Sequence, residues 1–175
     1  MKTWFKLSIG ILGTLSVLAQ AQSTTPYYIQ SYNSGLFLKI SGQSLTQVSQ
    51  TSQPTMWMLD TSGITDGGVW IKSGYSGQCL SVNGQVRPCS QETYLHYLNP
   101  EDMAQNQDWC IACRFAITDS SRPFNQNPPQ NCLTASPINK DGQQRGFSSK
   151  KCIQGGSNSD QQFRLIPVNP KSFRN

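Results

Sequence analysis

Histidine occurs once in this chain, at His96, and charged residues make up only 13% of its 175 positions. A single histidine allows at most one histidine-dependent site. It offers no ligand pair for zinc, and no two Cys-x-x-Cys motifs make up the deficit. Gly-x-Ser-x-Gly does not occur, and Glu92 and Glu101 stand apart without supporting motifs. The chain therefore reads as a non-enzyme with no metal and no other cofactor. The formal charge of +5 is scattered, with Lys150-Lys151 the only small cluster. Nucleic acid needs a basic stripe with interleaved aromatics, so it is excluded as a partner. No sustained helical period appears. The best helix candidate, ETYLHYLNPEDMAQ (92–105), is broken by Pro100, which leaves one helical turn at most.

Long apolar runs are missing too, except near the start. Lys2 and Lys6 precede LSIGILGTLSVLA, and Ala19 to Ala21 supply an A-x-A pattern. This predicts a secretory signal over residues 1–21 with cleavage near Ala21-Gln22, and hence secretion to an extracellular or periplasmic space. The apolar stretch is too short for a membrane span, which takes about 20 apolar residues. Losing Lys2 and Lys6 lowers the formal charge from +5 to +3. Residues 22–175 amount to about one domain. All six cysteines lie there, and in an oxidising compartment they read as a disulfide framework.

Abundant Gly, Ser, Asn, Gln and Pro separate short apolar runs. YYIQSY (27–32), LFLKI (36–40), MWMLD (56–60), VWIKS (69–73), QCLSV (78–82), CRFAI (113–117) and FRLIP (163–167) read as strands. Asn83-Gly84 is a hairpin signal. The class is all-β. A hidden period runs through it. SGLFLKIS (34–41), SGQCLSVN (76–83) and PQNCLTAS (129–136) align on a leucine. PTMWMLD (54–60), NQDWCIA (106–112) and DQQFRLI (160–166) align on Trp57, Trp109 and Phe163. Three copies of one unit, none able to bury its apolar face alone, imply a closed threefold structure.

DWCIAC (108–113) has two readings. As Trp-Cys-x-x-Cys it suggests a redox loop, but such a cysteine opens a helix that lowers its pKa. RFAITDSS follows instead, a strand and a turn. As the end of Asn106-Gln107-Asp108-Trp109 it suggests a Gln-x-Trp repeat. With Cys79-Leu80, QVRPC (85–89), Cys132-Leu133, Cys152 and Gln161-Gln162-Phe163, the chain resembles the ricin-type β-trefoil (R-type lectin) family. Copies two and three keep the order. Copy one is degenerate, with Phe37 in the cysteine place and Thr55 in the Gln place.

The resemblance implies a disulfide-stapled β-trefoil over residues 22–175, with pseudo-repeats at about 27–68, 69–122 and 123–168. It implies core roles for Trp57, Trp109 and Phe163, and disulfides Cys79–Cys89 and Cys132–Cys152. Cys110 and Cys113 are then left to each other, which requires a backbone bend: in a strand such residues lie about 10 Å apart, and a disulfide wants about 7 Å or less.

It also implies lectin-like binding of a carbohydrate or glycoprotein surface. In that family an Asp after Cys-Leu, a Gln, an aromatic and an Asn-Gln pair form each sugar pocket. Here copy two holds Ser81, Gln85, Arg87, Asn106 and Gln107 at those places. Copy three holds Thr134, Ser148, Lys150 and Asp160, and Lys39 takes the Asp position in copy one. No copy joins a carboxylate to a stacking ring. Copy two is thus the candidate site, and Tyr94, His96 and Tyr97 in its insertion are further candidates. The plan also resembles the lectin-like subunits of cytolethal distending toxins, which implies a cell-binding toxin subunit with co-subunits as an alternative. A trefoil protease inhibitor ranks last.

Overall fold

The computed structural model describes residues 25–60, 69–89, 98–100, 115–119, 131–137, 146–153 and 159–168. Trp109, Asn106, Gln107, Tyr94, His96, Tyr97 and the pair Cys110–Cys113 lie outside them. The strands are β1 (Tyr27–Ser31), β2 (Phe37–Ser41), β3 (Ser44–Val48), β4 (Trp57–Asp60), β5 (Trp70–Ser73), β6 (Cys79–Leu80), β7 (Val86–Arg87), β8 (Leu98–Pro100), β9 (Phe115–Ile117), β10 (Asn131–Ala135), β11 (Phe147–Lys151) and β12 (Phe163–Pro167). Two single turns of 3-10 helix, Gln50–Ser52 and Ser159–Gln161, lead towards β4 and β12.

Pairing sorts the strands into three similar units. Six strands run in the order β5-β4-β1-β12-β9-β8. In each unit the fourth strand pairs with the first strand of the next. Thus Leu59 faces Ile71, Leu98 faces Ile117, and Leu165 faces Ile29. The last of these pairs runs for five residues and joins the two ends of the domain. The second and third strands of each unit form hairpins β2–β3, β6–β7 and β10–β11. This is the β-trefoil. By pairing, Phe115–Ile117 opens unit three, upstream of the repeat division expected at residue 122.

One expectation is corrected. Leu98–Pro100 lies inside the segment read as a helical turn, yet it is a strand paired with β9. Backbone pairing to β9 outweighs the local pattern. Among the described residues β8 ends the strand order, a place where proline is tolerated because its missing N–H breaks no ladder on the outer side. β8 takes the place in unit two that β4 takes in unit one and β12 in unit three; the Trp109 segment lies outside the described residues.

The core repeats as the strands do. Ile29, Ile71 and Ile117 are fully buried, and so are Leu38, Leu80 and Leu133. Each such side chain stabilises by roughly 1.5–3 kcal/mol. Trp57 and Phe163 are buried in the same cluster. A third set, Leu45, Val86 and Phe147, stands where the hairpin tips meet. There Leu45 N–H donates to Gly84 O (2.8 Å) and Val86 N–H to Gln43 O (2.9 Å). The turns between first and second strands repeat as well. Ser31 N–H donates to Leu36 O and Ser73 N–H to Gln78 O, both at 2.8 Å.

Two disulfides staple hairpins. Cys79–Cys89 and Cys132–Cys152 have Cα separations of 5.1 and 5.0 Å, well within reach of the bond. The second closes a separation of 20 residues, which is worth about 3 kcal/mol through the unfolded chain. Replacing Cys132 and Cys152 together by alanine should lower the free energy of urea unfolding by about that amount. An unchanged midpoint would show that the bond adds nothing. Among the described residues no helix is long and apolar enough to cross a membrane.

Candidate functional site

Three of the positions predicted for sugar contact come together on the β6–β7 hairpin. The last strand pair there is Leu80 with Val86. Beyond it Ser81 N–H donates to Gln85 O (2.8 Å), and Asn83 Oδ1 accepts the Gln85 N–H (3.0 Å). This side-chain-to-backbone bond favours the turn, as Asn often does. Ser81 lies beneath the turn, only 4% exposed. The Gln85 Oε1 accepts a hydrogen bond from Arg87 Nη2, and the Arg87 guanidinium is exposed. A neutral hydroxyl at the foot, a half-buried amide and an outward cation therefore share one face.

Unit three is closed at the matching place. Thr134 is 3% exposed. Its hydroxyl accepts from Gln161 Nε2 (3.0 Å) and donates to Cys132 O (3.2 Å). Gln161 also donates to Lys151 O and accepts from Ile153 N–H, each at 3.0 Å. Asp160 accepts from Asn33 Nδ2 at 2.6 Å, tying unit three to unit one. Thr134, Asp160 and Gln161 are thus part of the framework here, whereas Lys150 is exposed. Thr55 does a similar job in unit one: its N–H donates to Leu38 O (3.1 Å) and its hydroxyl accepts from Ile40 N–H (2.9 Å). These are the counterparts of Gln107. The position of the family's ring is also explicit: Arg87 lies opposite Cys79, Lys150 opposite Cys132, and Val48 opposite Phe37.

A feature the sequence reading missed lies between units one and two. An open groove of 430 Å³ has Lys39, Ile40 and Gln53 on one wall and Tyr75, Ser76 and Gln78 on the other. Lys39 Nζ donates to Ser52 O (2.8 Å), which holds the ammonium at the edge of the 50–52 turn. Ser76 Oγ donates to Gln78 Oε1 (3.3 Å). Tyr75 is 72% exposed. Burial, and after it the nearby Tyr75 phenol, push the Tyr28 hydroxyl above its ordinary pKa. Tyr28 in turn meets the Phe37 ring edge-on at 6.0 Å. Lys39 was legible as a substituted position; its neighbours across the unit boundary were not. A cleft of 280 Å³ near β4 and β5 holds the Lys72–Asp60 ion pair, whose charges already match.

A threefold set of strands and hairpins around a packed core defines a β-trefoil. Residues 16–96, most of them in units one and two, match the model of the family described as ricin-type beta-trefoil lectin domain-like, which bears out the resemblance read from the sequence. Solved structures agree on the fold. The ricin B-like lectin of Macrolepiota procera, in complex with lactose, is 14% identical with a TM-score of 0.57, covering 85% of this chain and 99% of that one. A designed 3-fold symmetric protein, ThreeFoil, is 16% identical with a TM-score of 0.56, at 82% and 99% coverage. The C-terminal domain of an earthworm lectin, a mutant in complex with 6'-sialyllactose, is 16% identical with a TM-score of 0.55, also at 82% and 99%. None of the curated proteins compared matches the chain significantly.

Proposed function

We propose that this protein is a secreted, non-catalytic module that recognises carbohydrate on glycoconjugates, with its family-type site in unit two. The fold and the family match support carbohydrate binding as the class. The observation that carries the site is the joint display of Gln85 and Arg87 above Ser81 on the β6–β7 hairpin. Asn106 and Gln107 complete the proposed set. An amide and a guanidinium can hydrogen-bond paired sugar hydroxyls, with the amide both donating and accepting. Without the family's carboxylate the bonds are weaker, since charge-assisted hydrogen bonds are roughly twice as strong as neutral ones. Affinity for one sugar should therefore be low, and avidity should come from multivalent display.

The test uses the oxidised mature protein and its Gln85→Ala, Asn106→Ala double variant, titrated with a multivalent neutral glycan that the parent binds. The double variant should lose at least tenfold in affinity, which corresponds to about 1.4 kcal/mol. Unchanged affinity would remove the site from unit two.

A further inference from the structure

We propose that the groove between units one and two is a second binding site, selective for saccharides that carry a carboxylate, with Lys39 pairing the acid and Tyr75 stacking on the sugar ring. It rests on the carbohydrate-binding reading but uses different residues. Four observations point the same way.

The first is size. The groove's 430 Å³ falls within the range of small-ligand sites, about 300–1,000 Å³. The second is charge. Among the described residues that line the groove, Lys39 is the only ionisable acid or base apart from the Tyr75 phenol, and none is a carboxylate. An ammonium has three donors, and Ser52 O accepts one of them. That bond fixes the cation without neutralising it. A carboxylate arriving there pairs its own negative charge with the ammonium as well as accepting its hydrogen bonds, whereas a neutral sugar offers hydrogen-bond acceptors alone.

The third is the ring. Tyr75 lies 72% exposed on a groove wall whose other side chains are mostly polar. A flat ring suits the apolar face of a sugar, and its hydroxyl suits the polar rim. The fourth is backbone strain. Gln53 is the only described non-glycine residue with a positive φ, at 53°. It ends the Gln50–Ser52 turn at a place that usually takes Gly or Asn. Left-handed backbone is unfavourable for an ordinary L-residue, and such strain persists where surroundings or function require the residue. Gln53 is one of the residues that line the groove.

The experiment titrates the oxidised mature protein by calorimetry with the methyl glycosides of N-acetylneuraminic acid and glucuronic acid, and with neutral methyl galactoside and methyl glucoside. It is repeated on Lys39→Gln and Tyr75→Ala, whose thermal melts report folding. The parent should bind at least one acidic glycoside tenfold or more tighter than its neutral counterparts, and that binding should weaken as salt rises. Lys39→Gln should abolish the preference, and Tyr75→Ala should weaken the acidic glycoside at least fivefold. Equal affinity for acidic and neutral glycosides overturns this site alone and leaves unit two standing. An acid preference that survives Lys39→Gln also overturns it. Binding of no saccharide by either titration overturns both proposals.

Discussion

Gly84→Val should cost more stability than any surface substitution in the protein, roughly 2–5 kcal/mol. Gly84 has a φ of +77°, a conformation that costs an L-residue about 1–2 kcal/mol. A Cβ placed on it would lie 2.7 Å from Phe147 Cβ and 3.1 Å from Phe147 O. Relieving such overpacking costs a further 1–3 kcal/mol or so. The obstacle is backbone as well as side chain, so a rotamer change does not remove it. It also lies where hairpins from different units touch: Gly84 O accepts the Leu45 N–H, and Phe147 begins β11. Displacing the turn would therefore disturb contacts in all three units. Gly42→Ala is the control. It shares a positive φ, +63°, but nothing lies within 4 Å of its added Cβ. Urea unfolding should show a loss of about 1–2 kcal/mol for Gly42→Ala and clearly more for Gly84→Val. Equal losses would mean that the hairpin tips are not packed at the axis.

Trp57→Ala should cost about 3–5 kcal/mol, as large aromatic truncations in cores do. Trp57 is fully buried in the main cluster with Ile29, Leu59 and Ile71. Its indole N–H has no acceptor among the described residues, and a buried donor left unpaired is itself a penalty of about 1–3 kcal/mol. Trp57→Phe loses ring volume but also removes that donor. Unit three already carries Phe163 at this place, buried and 6.4 Å from Phe115 between ring centroids. The phenylalanine variant should thus cost clearly less than the alanine variant, within the roughly 0.5–3 kcal/mol usual for single substitutions. Thermal melts of the two variants decide it. A phenylalanine as damaging as alanine would show that the indole, rather than bulk, fills the site.

Much of this frame was legible because its signals are local. The leucine set Leu38, Leu80 and Leu133 stood out beside Cys79 and Cys132, and Asn83-Gly84 marked its hairpin. The isoleucine set was less visible. Ile29 and Ile71 lie nine residues before their leucines, whereas Ile117 lies sixteen before Leu133. The longer connection hid the third member. SLTQV and FSSKK form β3 and β11 although polar residues dominate both. Their pairing partners, not their propensities, hold them extended. Leu98–Pro100 shows the same effect. The Lys39–Tyr75 groove was illegible for a different reason: its walls come from separate units, and only the fold brings residues 39, 53, 75 and 78 together. The substituted sugar positions of unit three were readable as substitutions. That Thr134 and Gln161 would bond each other, and so close the pocket, needed the geometry.

The central claim is that this trefoil is a sugar-recognition module, and a broad glycan array probed with the oxidised mature protein at high multivalency tests it most directly. The account predicts selective, reproducible binding to a related set of glycans, competed by the free saccharide. A folded, oxidised protein that binds no glycan on the array would contradict it.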